Sequence, residues 1–172
     1  HIHYYDPAAG GFGDRRDWAL VEPRALETGQ CVENRAHCFF ADDQGHVYRF
    51  DDAGPAWTYL GQMEVPKAEI WVWMFQVSAD GKTAYYATSS WMPEANPAGL
   101  YEFDLATGKS HRLCGLDQLD PALGPLFLHT GYDAWDRDGR FYFTSFTSET
   151  DQRVVLTRVD PARLKAALGR SQ

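Results

Sequence analysis

The chain is short of cysteine, of long apolar runs and of basic residues, and each shortage removes a class of function. Its three cysteines, Cys31, Cys38 and Cys114, are an odd number and include no Cys-x-x-Cys pair. A disulfide framework and a cysteine-built zinc site are therefore not expected. Cysteine behaves as a small buried apolar group, so Cys31 and Cys38 are expected as free buried thiols; a crosslink across a hairpin is the alternative in an oxidising compartment. No apolar stretch approaches the roughly 20 residues that a membrane-spanning helix needs. Sixteen Lys and Arg stand against 24 Asp and Glu, for a net charge of -8. Basic residues gather only at Arg15-Arg16 and in the sparse tail of Arg163, Lys165 and Arg170, so neither nucleic acid nor a membrane surface is an expected partner. Gly-x-Ser-x-Gly, His-Glu-x-x-His and phosphate-loop patterns are also missing. Ser89, Ser90 and Ser145 have no evident basic partner in the sequence, and a serine hydrolase has no support. The chain opens at His1 without an initiator methionine or a signal peptide, and reads as a mature or truncated product.

What the chain does have is aromatic residues, at 15%, with 15 glycines and nine prolines. Flat, bulky side chains pack well on a pleated surface, and Gly and Pro supply turns. The profile is that of an all-β protein, and 172 residues suffice for one domain with a core of its own.

A repeat runs through the sequence. Short alternating strands end in Asp at positions 6, 51, 104 and 160, which are 45, 53 and 56 residues apart. Each Asp is expected to cap the turn that follows through its side chain. A polar strand comes next, AWTYLG after Asp51 and SHRLCG after Asp104. Ahead of these units lie hairpins: MFQVSADGKTAYYATSS and GYDAWDRDGRFYFTSF each read strand, Asp-Gly turn, strand. HCFFADDQGHVYRF is a looser copy, in which the turn at Gln44-Gly45 joins either the first and second or the second and third strands.

Four short strands every 45 to 56 residues is the pattern of a β-propeller blade. With its Tyr-x-Phe-Asp, Thr-Gly-Lys and Ala-Asp-Gly-Lys motifs, the chain resembles propellers of the broad NHL, gluconolactonase-like and quinoprotein-like group over nearly its whole length. The Trp-Asp repeat group fits poorly, because Trp135-Asp136 falls on a first strand. The resemblance implies blades of four antiparallel strands, with residues 1–20 ending one blade, 21–62 and 63–116 forming two more, and 117–172 forming the last with a short helical tail over 162–168. About three and a half blades do not close a ring. A partial propeller is expected, from a ring of about six to eight blades, or else a half-ring that self-associates with a second chain.

In a propeller the innermost strands line a central channel, and ligands bind at a mouth, on the loops entering those strands. His129 is placed just before an innermost strand and Asp133 on it, as a catalytic base and its orienting acid. Glu33, Asn34, Arg35 and His37, at the start of the CFFADD strand, form a second cluster expected to join them from an adjacent blade. The fork of Arg35 suits a carboxylate. Trp71 and Trp73 are expected in the core, while Trp91, in the loop SSWMPEANPAG, is a stacking platform for a sugar ring. In gluconolactonase-like propellers an acid ahead of this hairpin binds a divalent metal. Asp133 is displaced from that position, so no metal ligand is assigned, and a divalent metal is the one cofactor with any support. Asp136 to Gly139 lacks the remaining ligands of a calcium loop and reads as a turn. The expected function is binding of a small polar or carbohydrate-like ligand at the channel mouth. A metal-dependent sugar lactonase, a sugar-acid lyase and a protein-interaction scaffold are the alternatives. A periplasmic or secreted setting fits slightly better than the cytoplasm. Phe75, Val77, Tyr85, Phe103, Trp135, Phe141 and Phe143 are expected to be buried.

Overall fold

The structure, a computed structural model, describes residues 2–6, 8–15, 26–32, 37–42, 44–51, 56–66, 70–90, 98–121, 127–129, 135–146 and 154–169. These form four antiparallel sheets in chain order. The first holds β1 (Ile2–Asp6) and β2 (Gly11–Arg15). The second runs β3 (Leu26–Val32), β4 (His37–Asp42), β5 (His46–Asp51) and β6 (Ala56–Gln62). The third runs β7 (Ile70–Val77), β8 (Thr83–Ser90), β9 (Gly99–Asp104) and β10 (Lys109–Gly115), followed by the short helix α1 (Leu116–Leu119). The fourth holds β11 (Phe127–His129), β12 (Phe141–Phe146) and β13 (Val154–Val159), followed by α2 (Pro161–Gly169). In every sheet the strands pair in sequence order, and β7 lies beside both β3 and β11, so the first strands form one inner row.

The third sheet shows why the sheets stack. Successive strand residues point to opposite faces. Phe75, Val77, Ala84, Tyr86, Tyr101 and Phe103 pack towards Val32, Phe39, Ala41 and Val47 of the second sheet. Met74, Tyr85, Ala87 and Leu100 pack the other way, towards Phe141, Phe143 and Val159 of the fourth. A register shift between Val72 and Met74 inverts the alternation there, which is how Val72 joins the same face as Phe75 and Val77. Phe75, Val77, Tyr85, Phe103, Phe141 and Phe143 are all buried, as expected. Trp135 is half-buried, edge-on to Phe141 at 5.3 Å. The side chains of Trp71 and Trp73 lie outside the described residues.

Polar contacts fix the spacing between sheets. Gln30 is buried on β3, where its Oε1 accepts from the Val77 backbone N–H at 2.7 Å and its Nε2 donates to the Val77 carbonyl at 3.3 Å. One amide side chain thus pairs with β7 as a strand would. At the outer rim, Gly61 and Gly108 meet backbone to backbone. Both have positive φ, 147° and 68°, and a Cβ on Gly108 would stand 2.1 Å from the Leu60 carbonyl oxygen, so no other residue fits.

The repeated Asp explains both a turn and a helix. Asp104 Oδ1 accepts from the N–H groups of Ala106 and Thr107 at 2.9 and 2.7 Å. The Gly108 N–H donates to the Asp104 carbonyl at 2.8 Å, and Gly108 with φ 68° reverses the chain into β10. Asp160 begins in the same way: its Oδ1 accepts from Arg163 N–H at 3.0 Å, and Leu164 N–H donates to its carbonyl at 2.9 Å. Leu stands where Gly stood, so the turn propagates, with Pro161 in the first helical position, where its lack of an N–H costs nothing. The tail is therefore a helix of nine residues, longer than the one or two turns expected.

One expectation is corrected, an open alternative is resolved and the hairpin turns are made specific. Cys31 and Cys38 are directly opposed in the β3–β4 register and form a disulfide; Cys31 is exposed and Cys38 half-buried, so they are not buried free thiols. Cys114 is the free, buried thiol. The Gln44-Gly45 turn joins β4 to β5, the second and third strands, because the first is β3. The two Asp-Gly hairpins are five-residue loops, Ser78–Lys82 and Asp136–Arg140, each closed by a glycine N–H donating to the carbonyl three residues earlier, with Gly81 and Gly139 at positive φ.

Two measurements check this arrangement. Thiol titration of the denatured, unreduced chain should find one thiol, and after reduction all three of its cysteines. Three thiols before reduction would disprove the crosslink. Gln30→Ala should lower stability by about 1–3 kcal/mol, since it strands the Val77 amide in a buried setting; an unchanged denaturant midpoint would show that the clamp contributes nothing.

Candidate functional site

The best-formed exposed polar group in the described residues starts from strand register. His37 pairs with Asp51 across β4 and β5, and Phe39 pairs with Arg49 on the next shared rung. Residues two apart on a strand face the same side, so Arg49 and Asp51 flank His37. His37 Nδ1 and Asp51 Oδ1 are 2.5 Å apart, and Arg49 Nε donates to Asp51 Oδ2 at 3.0 Å. The side chains of His37 and Arg49 remain 40% and 39% exposed, while Asp51 between them is 24% exposed. A carboxylate on Nδ1 holds the ring in one orientation. With Nε engaged, the terminal nitrogens of Arg49 present donors in a planar fork.

The candidates from the sequence fall as follows. Glu33, Asn34, Arg35, Asp133 and Trp91 lie outside the described residues. Of that cluster His37 is described, at the start of β4. His129 is on β11, paired with Thr144, and not just before the innermost strand. Four antiparallel strands return the chain to the end of the sheet from which it set out. His37 therefore stands at the end where β3 finishes, and His129 within three residues of where β11 starts. The third sheet also lies between them, so the structure does not bring His37 and His129 together. Arg49 and Asp51 take that place beside His37. The signal for them was the Arg-x-Asp spacing in HVYRFD, which sets both on one face; Asp51 was assigned instead to turn capping.

Other acidic groups serve their own turns. Asp42, whose side chain is fully buried, accepts from Gln44 N–H at 3.0 Å and His46 N–H at 2.8 Å, and faces His46 Nδ1 at 3.0 Å. Asp136 accepts from Arg140 N–H and Asp138 N–H, both at 2.9 Å, and from the Tyr142 hydroxyl at 3.0 Å. These bonds, that from Arg140 foremost, hold the Asp136 carboxyl below the usual range. The Thr107 N–H does the same for Asp104, and the Ser78 hydroxyl for Asp80. Asp136 to Gly139 is thus a self-satisfied turn. Among the described residues no three His, Cys, Asp or Glu converge to hold a metal ion. Lys165 of α2 pairs with Glu102 and lies 5.6 Å above the Tyr85 ring. Beside α2 an open cleft of about 880 Å³ is bordered by Leu119, Arg158, Arg163 and Leu164.

No family model and no curated protein matches the chain. Among solved structures, an oligogalacturonate lyase in complex with manganese is similar at 16% identity with a TM-score of 0.52, over 80% of this chain and 39% of that one. An oligogalacturonate lyase from Vibrio parahaemolyticus is similar at 11% identity and a TM-score of 0.47, over 73% of this chain and 35% of that one. The tricorn protease is similar at 16% identity and a TM-score of 0.47, over 90% of this chain and 14% of that one. The chain thus spans about two fifths of the length of the first of these structures. The likeness concerns the fold: the molecule is all-β, and its antiparallel four-stranded sheets are blades of a partial β-propeller.

The lowered carboxyls set an acid limit. A carboxyl depressed on folding stabilises above its unfolded value, about 4, and the benefit is lost as pH falls through the folded value. Denaturant midpoints should hold from neutral pH down to about 4 and decline below it. Asp136→Asn should shallow that decline, and an identical slope in the variant would show that Asp136 does not take part.

Proposed function

We propose that the chain is part of a β-propeller that binds a small, carboxylate-bearing, carbohydrate-like ligand at the sheet end where His37, Arg49 and Asp51 meet. The observation that carries this reading is the exposed Arg49 guanidinium, anchored through Nε on Asp51 beside an oriented imidazole. A planar fork with two donors matches a carboxylate, and hydrogen bonds to a charged group contribute about 1.5–3 kcal/mol each. His37 would bond a neighbouring ring hydroxyl. The oligogalacturonate lyase structure supports the choice of a sugar acid over a neutral sugar as first probe, since its name specifies a polymer of sugar acids.

A second reading follows from the same dyad. His37, oriented by Asp51, would act as general base in a sugar-acid lyase. It would take to Nε2 the proton beside the sugar carboxylate while the glycosidic C–O bond breaks, leaving an unsaturated sugar acid and a leaving sugar that gains a proton from water. The manganese belongs to the neighbouring structure. The described residues of this chain do not compose a metal site, and no step is assigned to one.

Titration calorimetry with an oligogalacturonate and with a neutral galactose oligomer tests the binding reading. The acid should bind more tightly, and Arg49→Gln should weaken it about tenfold or more while leaving the melting temperature unchanged. Equal binding of acidic and neutral sugars, or an unaltered constant in the variant, would sink it. Ultraviolet absorbance from a new double bond, lost in His37→Ala, separates the lyase from the binder.

A further inference from the structure

The candidate site lies in the end row of its sheet. Val32, His37, Asp51 and Ala56 pair across all four strands of the second sheet, and in this row β4 begins and β5 ends. Rows at strand ends open most readily, so the 2.5 Å approach of His37 to Asp51 depends on what holds the end of the ladder. In the third and fourth sheets the turn ahead of the second strand is closed tightly: the Gly81 N–H donates to the Ser78 carbonyl, and the Gly139 N–H to that of Asp136. Residues 33–36 of the second sheet, Glu-Asn-Arg-Ala, contain no glycine. The row next to the site carries a covalent bond instead. It runs Cys31, Cys38, Phe50 and Trp57. Cys31 is bonded to Cys38, and Phe50 is buried with its ring 5.0 Å from that of Trp57. Consecutive strand residues face opposite sides, so the crosslink stands on the face away from His37 and bears on the site through the backbone.

We propose that the Cys31–Cys38 pair is a redox-sensitive positioning element of this site: oxidised, it holds His37 against Asp51; reduced, it releases His37. A dithiol reductant opens the bond. Its first thiolate attacks one cysteine sulfur, the S–S bond breaks, and the other cysteine leaves as a thiolate that takes up a proton. Its second thiolate then displaces the attacked cysteine, which is protonated in turn. The reductant loses two electrons and becomes a disulfide, and Cys31 and Cys38 become thiols. β3 and β4 can then part at that end, and His37 moves away from Asp51 and Arg49. The consequence for affinity rests on the reading of the site as a receptor for a sugar acid. A ligand that meets both His37 and Arg49 binds the oxidised chain more tightly, and linkage requires it to make the bond harder to reduce by the same factor.

Imidazole nitrogen chemical shifts, read at one fixed pH with and without dithiothreitol, test the positioning without a ligand. The His37 signals should move on reduction, and in the same direction in the Cys31→Ser, Cys38→Ser double variant. His46, bonded to Asp42 at the far end of β4, is the internal control and should keep its signals. Unmoved His37 signals overturn the proposal. So do His37 and His46 signals that move together, since the crosslink would then hold the fold and not the site. Calorimetry with an oligogalacturonate reads the consequence. Reduction should weaken binding about tenfold, and the ligand should lower the midpoint potential of the pair by about 30 mV, the equivalent of tenfold. Equal affinity in the two states also overturns the proposal. Absence of binding in both states rejects the sugar-acid reading alone, because the His37 signals decide the positioning by themselves.

Discussion

The whole arrangement depends on sheets that are apolar on both faces. In the third sheet alternate residues of β7, β8 and β9 are buried to one side and to the other, so this sheet is incomplete without a neighbour on each flank. A sandwich of two sheets would satisfy one face only. Stacking in series satisfies both, and it places the first strands in one inner row. Burial at roughly 25 cal/mol per Å² of apolar surface drives this association, but burial is not directional. Direction comes from the Gln30 amide on the Val77 backbone and from the glycine contact at the rim.

Much of this was legible in the chain. Period-two alternation and recurring glycine located the strands, and the spacing of Asp6, Asp51, Asp104 and Asp160 fixed the repeat. What escaped were facts of register. Cys31 and Cys38 face each other through the register of β3 with β4, and His37 and Asp51 through that of β4 with β5. A residue more or less would turn each side chain to the other face. The register shift in β7 is likewise silent in the sequence, since WVWMF reads equally well with or without it. The fate of Asp160, in contrast, was readable: Leu164 stands where Gly108 follows Asp104, and Pro161 opens a helix.

The candidate site inherits its form from these registers. An isolated Asp at a strand end usually accepts from the backbone ahead of it, as Asp104 does. Asp51 instead meets a histidine across the ladder and an arginine two residues back. The same position in the repeat thus serves as a turn cap in one blade and as the centre of a polar array in another. Propellers diversify in this manner: the scaffold supplies equivalent positions, and single substitutions decide which carry chemistry.

The glycine pair at the rim sets the spacing of two neighbouring blades. Sheets arranged about a channel are closest at their inner strands and splay outwards, by an angle fixed by what stands between their outer strands. With Gly61 against Gly108 nothing but backbone separates β6 from the turn into β10. The second and third sheets therefore approach closely at this point of their outer strands, and a side chain at either position would hold them further apart. Two hydrogen atoms in place of two side chains thus bear on how closely consecutive blades can stand.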